Sequence, residues 1–364
     1  AASIYAGKKD YIASVAPHDY SVTGTNVDLT STQKIMDDFL AQSGNQVNEK
    51  AEVTYLYFGI KEQEKNKLTI FPENERKVLP KSIFLVFSQA TYKQLTGKDL
   101  NLASNQVGLY SKSKTLKDQK SLSFNGQTYQ IQDDLNDFIK GKVPNIFTII
   151  VSDYNYLVVP DMDDFKESIK GTATTQATYV GVNVKNPTHD AKKNSDLLDQ
   201  MTDKETQQLA GQNTGVSQSY LTANSQYDTE GMLNGFVGGT LFIGIFLSII
   251  FMLGTVLVIY YKQISEGYED RERFVILQKI GLDDLQVKQT IRKQVLTVFF
   301  LPLIFAFIHL AFAYHMLSLI VRIIGVFNQS LMLVVTIIVC GVFFLAYVLV
   351  FALTSRSYRR IVSM

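Results

Sequence analysis

The sequence predicts an α+β extracytoplasmic domain followed by an all-α membrane domain of three transmembrane helices. Three observations carry that reading. Residues 1–230 mix segments of helical and strand period, three long uncharged apolar runs dominate the chain after Glu230, and Lys and Arg gather on one side of those runs.

In the first region, "STQKIMDDFLAQSG" (Ser31 to Gly44) places Ile35, Met36, Phe39 and Leu40 on one helical face, with Ser31 or Thr32 available as a cap and Gly44 as a stop. "SIFLVF" (Ser82 to Phe87) and "IFTIIVSDYNYLVVP" (Ile146 to Pro160) are short runs rich in β-branched and aromatic residues, as strands are. "SLSFNGQTYQI" (Ser121 to Ile131) holds Asn125-Gly126 between alternating segments, a two-residue hairpin signal. "NSDLLDQMTDKETQQLAGQNTG" (Asn194 to Gly215) is amphipathic, with Leu197, Leu198, Met201 and Leu209 along one side. A helix is expected there, leading through a polar stretch to the first apolar run.

The apolar runs are Gly231–Tyr261, Val295–Val321 and Ser330–Ser355. Each exceeds the roughly 20 residues that cross a hydrocarbon core, and a helix satisfies its own backbone there. Lys262, Arg271, Arg273, Lys279, Lys288, Arg292 and Lys293 lie between the first two runs, Arg356, Arg359 and Arg360 come after the third, and only Arg322 separates the second from the third. Cytoplasmic loops carry the excess of Lys and Arg. The expected division is therefore an outer domain over 1–230, membrane helices over 231–261, 295–321 and 330–355, a cytoplasmic elbow over 262–294, an outer loop over 322–329 and a cytoplasmic tail over 356–364. The expected location is a bacterial cell membrane, crossed several times. The chain opens Ala-Ala-Ser-Ile-Tyr-Ala-Gly, and the expectation is a fragment or the back half of a longer polypeptide.

Charge and motif content narrow the function classes. Residues 1–230 carry 24 Lys and Arg against 28 Asp and Glu, and the remainder 11 against 6. Neither balance makes a counterion-releasing nucleic-acid surface. "LTGKDL" and "IKGKVP" lack the Gly and Ser/Thr of a phosphate-cradling loop, and "GVSQS" lacks the second Gly of a nucleophile elbow. His18, His189, His309 and His315 have no metal-site spacing, and Cys340, the one cysteine, sits in an apolar run. The expectation is a chain that is not itself an enzyme and needs no cofactor or metal.

Within the membrane segments, Gly235, Gly239 and Gly244 give the first helix a small-residue face suited to close packing. Pro302 is expected to kink or break the second helix, because its ring removes a backbone hydrogen bond. His309 lies just past the middle of that helix, where an ionisable group is a functional hypothesis and a neutral, hydrogen-bonded histidine is the plainer reading.

The elbow is the most informative stretch. From about Ser265 to Ile280 a helix is expected, with Glu269 and Arg273 spaced for an ion pair, Phe274, Leu277 and Ile280 as an apolar stripe and Gly281 as the stop. Asp283, with Gln286 three residues on, is placed to cap the next helix. Acids nearly balance bases on this face, which suits a protein groove better than anionic lipid.

"EDRERFVILQKIGLDDLQVKQTIRKQ", after one membrane helix and before two more, resembles the cytoplasmic elbow of FtsX-like ABC-transporter permeases. With "FFLPLIFAFIHLAFAYHML" in the second helix, the chain resembles more narrowly the C-terminal half of permeases of the bacitracin-export, antimicrobial-peptide-resistance type. That resemblance implies a permease subunit working with a separate cytoplasmic ABC ATPase, and further membrane helices upstream of Ala1. It also implies a peptide antibiotic or cell-wall lipid intermediate as the molecule handled, and a sensor histidine kinase as a possible second partner. Tyr268, Arg271, Glu272, Arg273, Leu277, Ile280 and Gly281 would then couple the chain to the ATPase. Two other readings stay open at this level: a lipoprotein- or lipid-extruding or cell-division FtsX-type permease, and a membrane-anchored sensor or ectoenzyme without an ATPase.

Overall fold

The computed structural model describes residues 8–75, 80, 82–111, 113–144, 153–210, 218–279, 284–323 and 329–362. Its elements run α1 (Lys8–Val15), β1 (Tyr20–Thr25), α2 (Leu29–Ser43), β2 (Val47–Glu64), β3 (Lys67–Ile70), β4 (Ser82–Ser88), α3 (Gln89–Thr96) and β5 (Gln106–Ser111). Next come α4 (Lys114–Lys117), β6 (Ser121–Phe124), β7 (Gln127–Asp134), β8 (Asp153–Val159), α5 (Met162–Ser168), β9 (Thr174–Val184), α6 (Ala191–Ala210) and β10 (Tyr220–Ser225). Three long helices complete the chain: α7 (Gln226–Lys279), α8 (Asp284–Ile323) and α9 (Gln329–Val362). The chain divides into a unit of Lys8–Asn234 and a unit that contains Gly235–Met364.

In the first unit all ten described strands join one mixed sheet in the order β10-β1-β9-β2-β3-β6-β7-β5-β8-β4, and β4 pairs back onto β2. The seven strands from β2 to β4 thus close into a ring. Alternation along each strand decides which side chains fill it. Leu56 and Phe58 of β2, Phe84 and Val86 of β4, Phe124 of β6 and Leu157 of β8 belong to one buried cluster, to which α5 adds Phe165 and the residue after it, Ile169. Phe124 meets Phe58 edge-on at 5.7 Å and Phe165 edge-on at 5.9 Å, the geometry that aromatic quadrupoles favour.

The opposite faces of the same strands carry a second cluster. Tyr55, Leu85, Phe87, Tyr156 and Val158 are covered there by Tyr92 of α3 and by Leu135, Phe138, Ile139 and Val143. Strands buried on both faces favour apolar residues at successive positions, which is why Ile83–Phe87 reads as an unbroken apolar run. At the other end of the sheet, Val22, Val180 and Val182 pack under Ile35, Met36 and Phe39 of α2 and Leu198 of α6.

Local signals in the sequence hold unevenly. The Asn-Gly hairpin is present, with Asn125 at φ 49° and Gly126 at φ 94° between β6 and β7. Helix α2 ends at Gly44 (φ 70°) as expected, but its cap is Asp28 rather than Ser31 or Thr32. Asp28 stands in extended backbone and its Oδ1 accepts from the Ser31 amide at 2.8 Å, while the Thr32 hydroxyl is already inside the helix and donates to the Asp28 carbonyl. Helix α6 starts at Ala191, ahead of the expected Asn194; its expected end falls in 211–217, outside the described residues. The strand expected over 146–160 is described from Asp153 onward.

Three helices are long and apolar enough to cross a membrane, over Gln226–Lys262, Phe300–Ile320 and Ser330–Leu349 among the described residues. Phe251, Phe312, Met316 and Leu345 are each at least 68% exposed, as lipid-facing side chains are. Between α8 and α9, Phe300 packs on Phe351 at 5.2 Å and on Tyr347 at 6.4 Å. The fold is a mixed α/β domain followed by three long apolar helices.

Candidate functional site

Helix formers dominate the charged end that follows the apolar part of α7, with Glu266, Glu269, Arg271, Glu272, Arg273, Leu277, Gln278 and Lys279 outweighing the single Gly267. The helix accordingly extends to Lys279 with no break where charge begins at Lys262. Tyr268, Arg271, Glu272, Arg273 and Leu277 are all carried on this one rod. Tyr268 and Ile276 are 59% and 57% exposed, so the charged end presents large apolar surface. Ile280, Gly281 and the expected cap Asp283 lie outside the described residues, as do the side chains of Arg271, Glu272, Phe274 and Leu277 and of Arg273, the expected partner of Glu269. Helix α8 resumes at Asp284.

Among the membrane-segment residues, Pro302 lies inside α8, which continues through it and so is not broken there. His309 Nδ1 donates to the Phe305 carbonyl at 2.7 Å, so this ring nitrogen bonds the histidine's own helix backbone. A Cβ at Gly235, Gly239 or Gly244 would meet nothing within 4 Å, so the glycine face makes no close contact among the described residues. Gly244 lines an apolar groove of about 570 Å³ between α7 and α9, together with Thr240, Ser248, Met252, Ile338 and Phe343. The Thr240 and Ser248 hydroxyls donate to the carbonyls of Phe236 and Gly244, which leaves the groove without free hydroxyl donors from these two residues.

The α/β unit carries a cleft of about 780 Å³ beside the β6–β7 turn, lined by Lys61, Lys67, Lys170, Asn125, Leu68 and Ile70 among others. Its lysines are partly engaged: Lys61 pairs with Glu75 at 2.5 Å, and that bond raises the lysine's pKa, while Lys170 pairs with Glu167 at 2.8 Å. His18 is 3% exposed, lies 2.7 Å from Tyr179 Oη and has its pKa lowered by burial, against the opposing pull of Glu49 and Asp19. Among the described residues no group of three or more His, Cys, Asp or Glu is placed to hold a metal ion.

One constellation is not legible in the sequence. Ser225 Oγ accepts from the Asp228 amide at 3.0 Å and donates to Asp228 Oδ2 at 2.8 Å, a reciprocal cap at the start of α7. Ser195 of α6 also donates to Asp228 Oδ2. The Ser-x-x-Asp spacing is a visible capping signal; the partner on α6, some thirty residues upstream, is not.

No family model matches the chain. It is 35% identical over 79 residues, 22% of its length, to the ABC transporter permease protein YxdM of Bacillus subtilis, 30% identical over 122 residues, 34% of its length, to the ABC transporter permease YvcS, and 28% identical over 138 residues, 38% of its length, to the bacitracin export permease protein BceB, both of the same organism. The matched segments span 13%, 18% and 19% of those relatives' own lengths. A solved structure from Bacillus anthracis, a lipoprotein by its description, is 10% identical with a TM-score of 0.28, over 48% of this chain and 92% of its own. Over the matched segments the chain is similar to Bacillus ABC transporter permeases.

Proposed function

We propose that the chain acts within the permease subunit of an ABC transporter that gives resistance to, and senses, antimicrobial peptides directed at the cell wall. The observation that carries this reading is the similarity to permeases, one of them named for bacitracin export, in a chain with three apolar spans and a charged helical end after the first. The Lys and Arg distribution supports a cytoplasmic location for residues 262–294 and the C-terminus, with the α/β domain outside.

In this reading a separate ATPase docks on the elbow. Tyr268, Arg271, Glu272, Arg273, Leu277, Ile280 and Gly281 form the docking surface; the apolar residues bury against the ATPase and the charges set register. Closure of the ATPase on ATP moves α7, and the unbroken helix carries that motion toward the α/β domain, which meets the peptide or a cell-wall lipid intermediate. Gly235, Gly239 and Gly244 supply the surface on which other membrane helices pack. Pro302 loosens the backbone of α8, and His309 stays bonded to its own helix backbone at depth. A sensor histidine kinase in the same membrane is the second partner.

The test is Leu277→Asp in the full-length protein. A buried carboxylate at the docking stripe should abolish resistance to bacitracin-like or lantibiotic-like peptides at unchanged protein level. Unchanged resistance would count against the reading.

A further inference from the structure

Helix α6 is held differently from its neighbour α2. The buried positions of α2 include Ile35, Met36 and Phe39, so its attachment is apolar. Those of α6 are Ala191, Asn194, Ser195, Leu198 and Thr202, of which Leu198 alone is a large apolar side chain. Leu197, Met201 and Leu209 add half-buried contact. A twenty-residue helix with so thin an apolar footing needs other attachments.

Two polar clasps supply them. At one end, Ser195 (3% exposed) donates to Asp228 Oδ2 and lies 2.8 Å from the hydroxyl of Ser225 (2% exposed), so α6 is tied to the residues that cap α7. At the other end the Thr206 hydroxyl accepts from the Leu221 amide at 3.0 Å and donates to the Leu221 carbonyl at 3.2 Å. Leu221 belongs to β10, the outermost strand of its end of the sheet, paired through β1 on one side. Thr206 therefore occupies backbone groups that an edge strand would otherwise turn outward.

Hydroxyl clasps are inexpensive to open, because water replaces each bond that is lost, whereas apolar burial has no such substitute. The acids around the first clasp add a push. Asp199 of α6 is close enough to Asp228, and to Asp203 and Asp196 of its own helix, to feel their charge, and burial together with these like charges raises its pKa. Tyr20 of β1 also faces this corner, with its pKa raised first by burial and then by Asp19 and Asp228.

We propose that α6 is a releasable strap, clasped by Ser195 to the Asp228–Ser225 cap and by Thr206 to β10, whose opening uncovers the edge of β10 and loosens the first turn of α7 while the rest of the sheet stays folded. This opening belongs to the α/β unit alone and does not depend on what the membrane helices transport.

Hydrogen exchange read by mass spectrometry on the full chain in detergent tests it. In the wild type, peptides from 191–210 and 220–225 should exchange together, at least about tenfold faster than those from 29–43. Ser195→Ala, which leaves the Ser225–Asp228 cap in place, should speed exchange of α6 about tenfold further with α2 unchanged; Thr206→Val should do so for β10. Conversely, Ser195→Cys with Ser225→Cys, in a chain whose one native cysteine is Cys340, should on oxidation slow α6 to the rate of α2, and a reductant should restore it. The proposal is overturned if α6 already exchanges as slowly as α2, if the variants speed α2 equally, or if the oxidised pair leaves α6 exchange unchanged.

Discussion

Asp199 shows how a single side chain sets a pH response. Its pKa is raised above the ordinary 3.8, first by burial and then by Asp228, Asp203 and Asp196. A carboxyl whose pKa is higher in the fold contributes stability below its unfolded value and loses it as pH rises through the folded value. Ionised Asp199 is thus unfavourable at neutral pH. Asp199→Asn is expected to raise the thermal midpoint of the α/β unit at pH 7, by circular dichroism, and the gain should vanish below about pH 3.8. Gly181 is the steric counterpart: a Cβ there would sit 2.5 Å from His18 Nδ1 and 2.5 Å from Tyr179 Oη. Both neighbours are buried and bonded to each other, so Gly181→Ala should cost about 1–3 kcal/mol in urea unfolding. At this scale the sequence is legible where chemistry is local, as at Asn125-Gly126. It is silent on Gly181, whose neighbour His18 is 163 positions away.

Elements are legible in proportion to how much of their reason lies within them. The run Ser82–Phe87 declares itself because both faces are buried, and α2 because its apolar stripe has helical period. The cap of α2 lies three residues ahead of Ser31, at Asp28. Asp28→Ala should therefore lower stability by about 0.5–2 kcal/mol, more than Ser31→Ala, since Asp28 satisfies the free amide of the first turn; chemical denaturation of the two variants decides. The eighteen-residue β2 gives no clear signal, because four residues at each of its ends are exposed and two of its partners, β4 and β9, are distant in sequence. Helix α6 is legible as amphipathic, yet its polar clasps depend on Asp228 and Leu221 and so need the fold.

For the whole molecule, the division into a mixed α/β domain and three apolar helices follows from composition, since nothing but lipid suits runs as long as Ser330–Ser355. Closure of seven strands into a ring does not, because pairing of β2 with β4 adds no signal to either strand's own residues. The candidate site is legible as a charged helical end. The structure adds that its residues up to Lys279 share one uninterrupted helix with the first apolar span, so a force applied at Tyr268 or Leu277 has a stiff path along α7. The central claim is that this end receives an ATPase. Purification of the full-length protein in mild detergent, from its native cells, with ATP-binding subunits identified by mass spectrometry, tests it most directly. The ATP-binding subunit should be retained with the wild type and lost with Leu277→Asp while the α/β domain keeps its thermal midpoint. Retention that is indifferent to Leu277→Asp, or no ATP-binding subunit with the wild type, would contradict it.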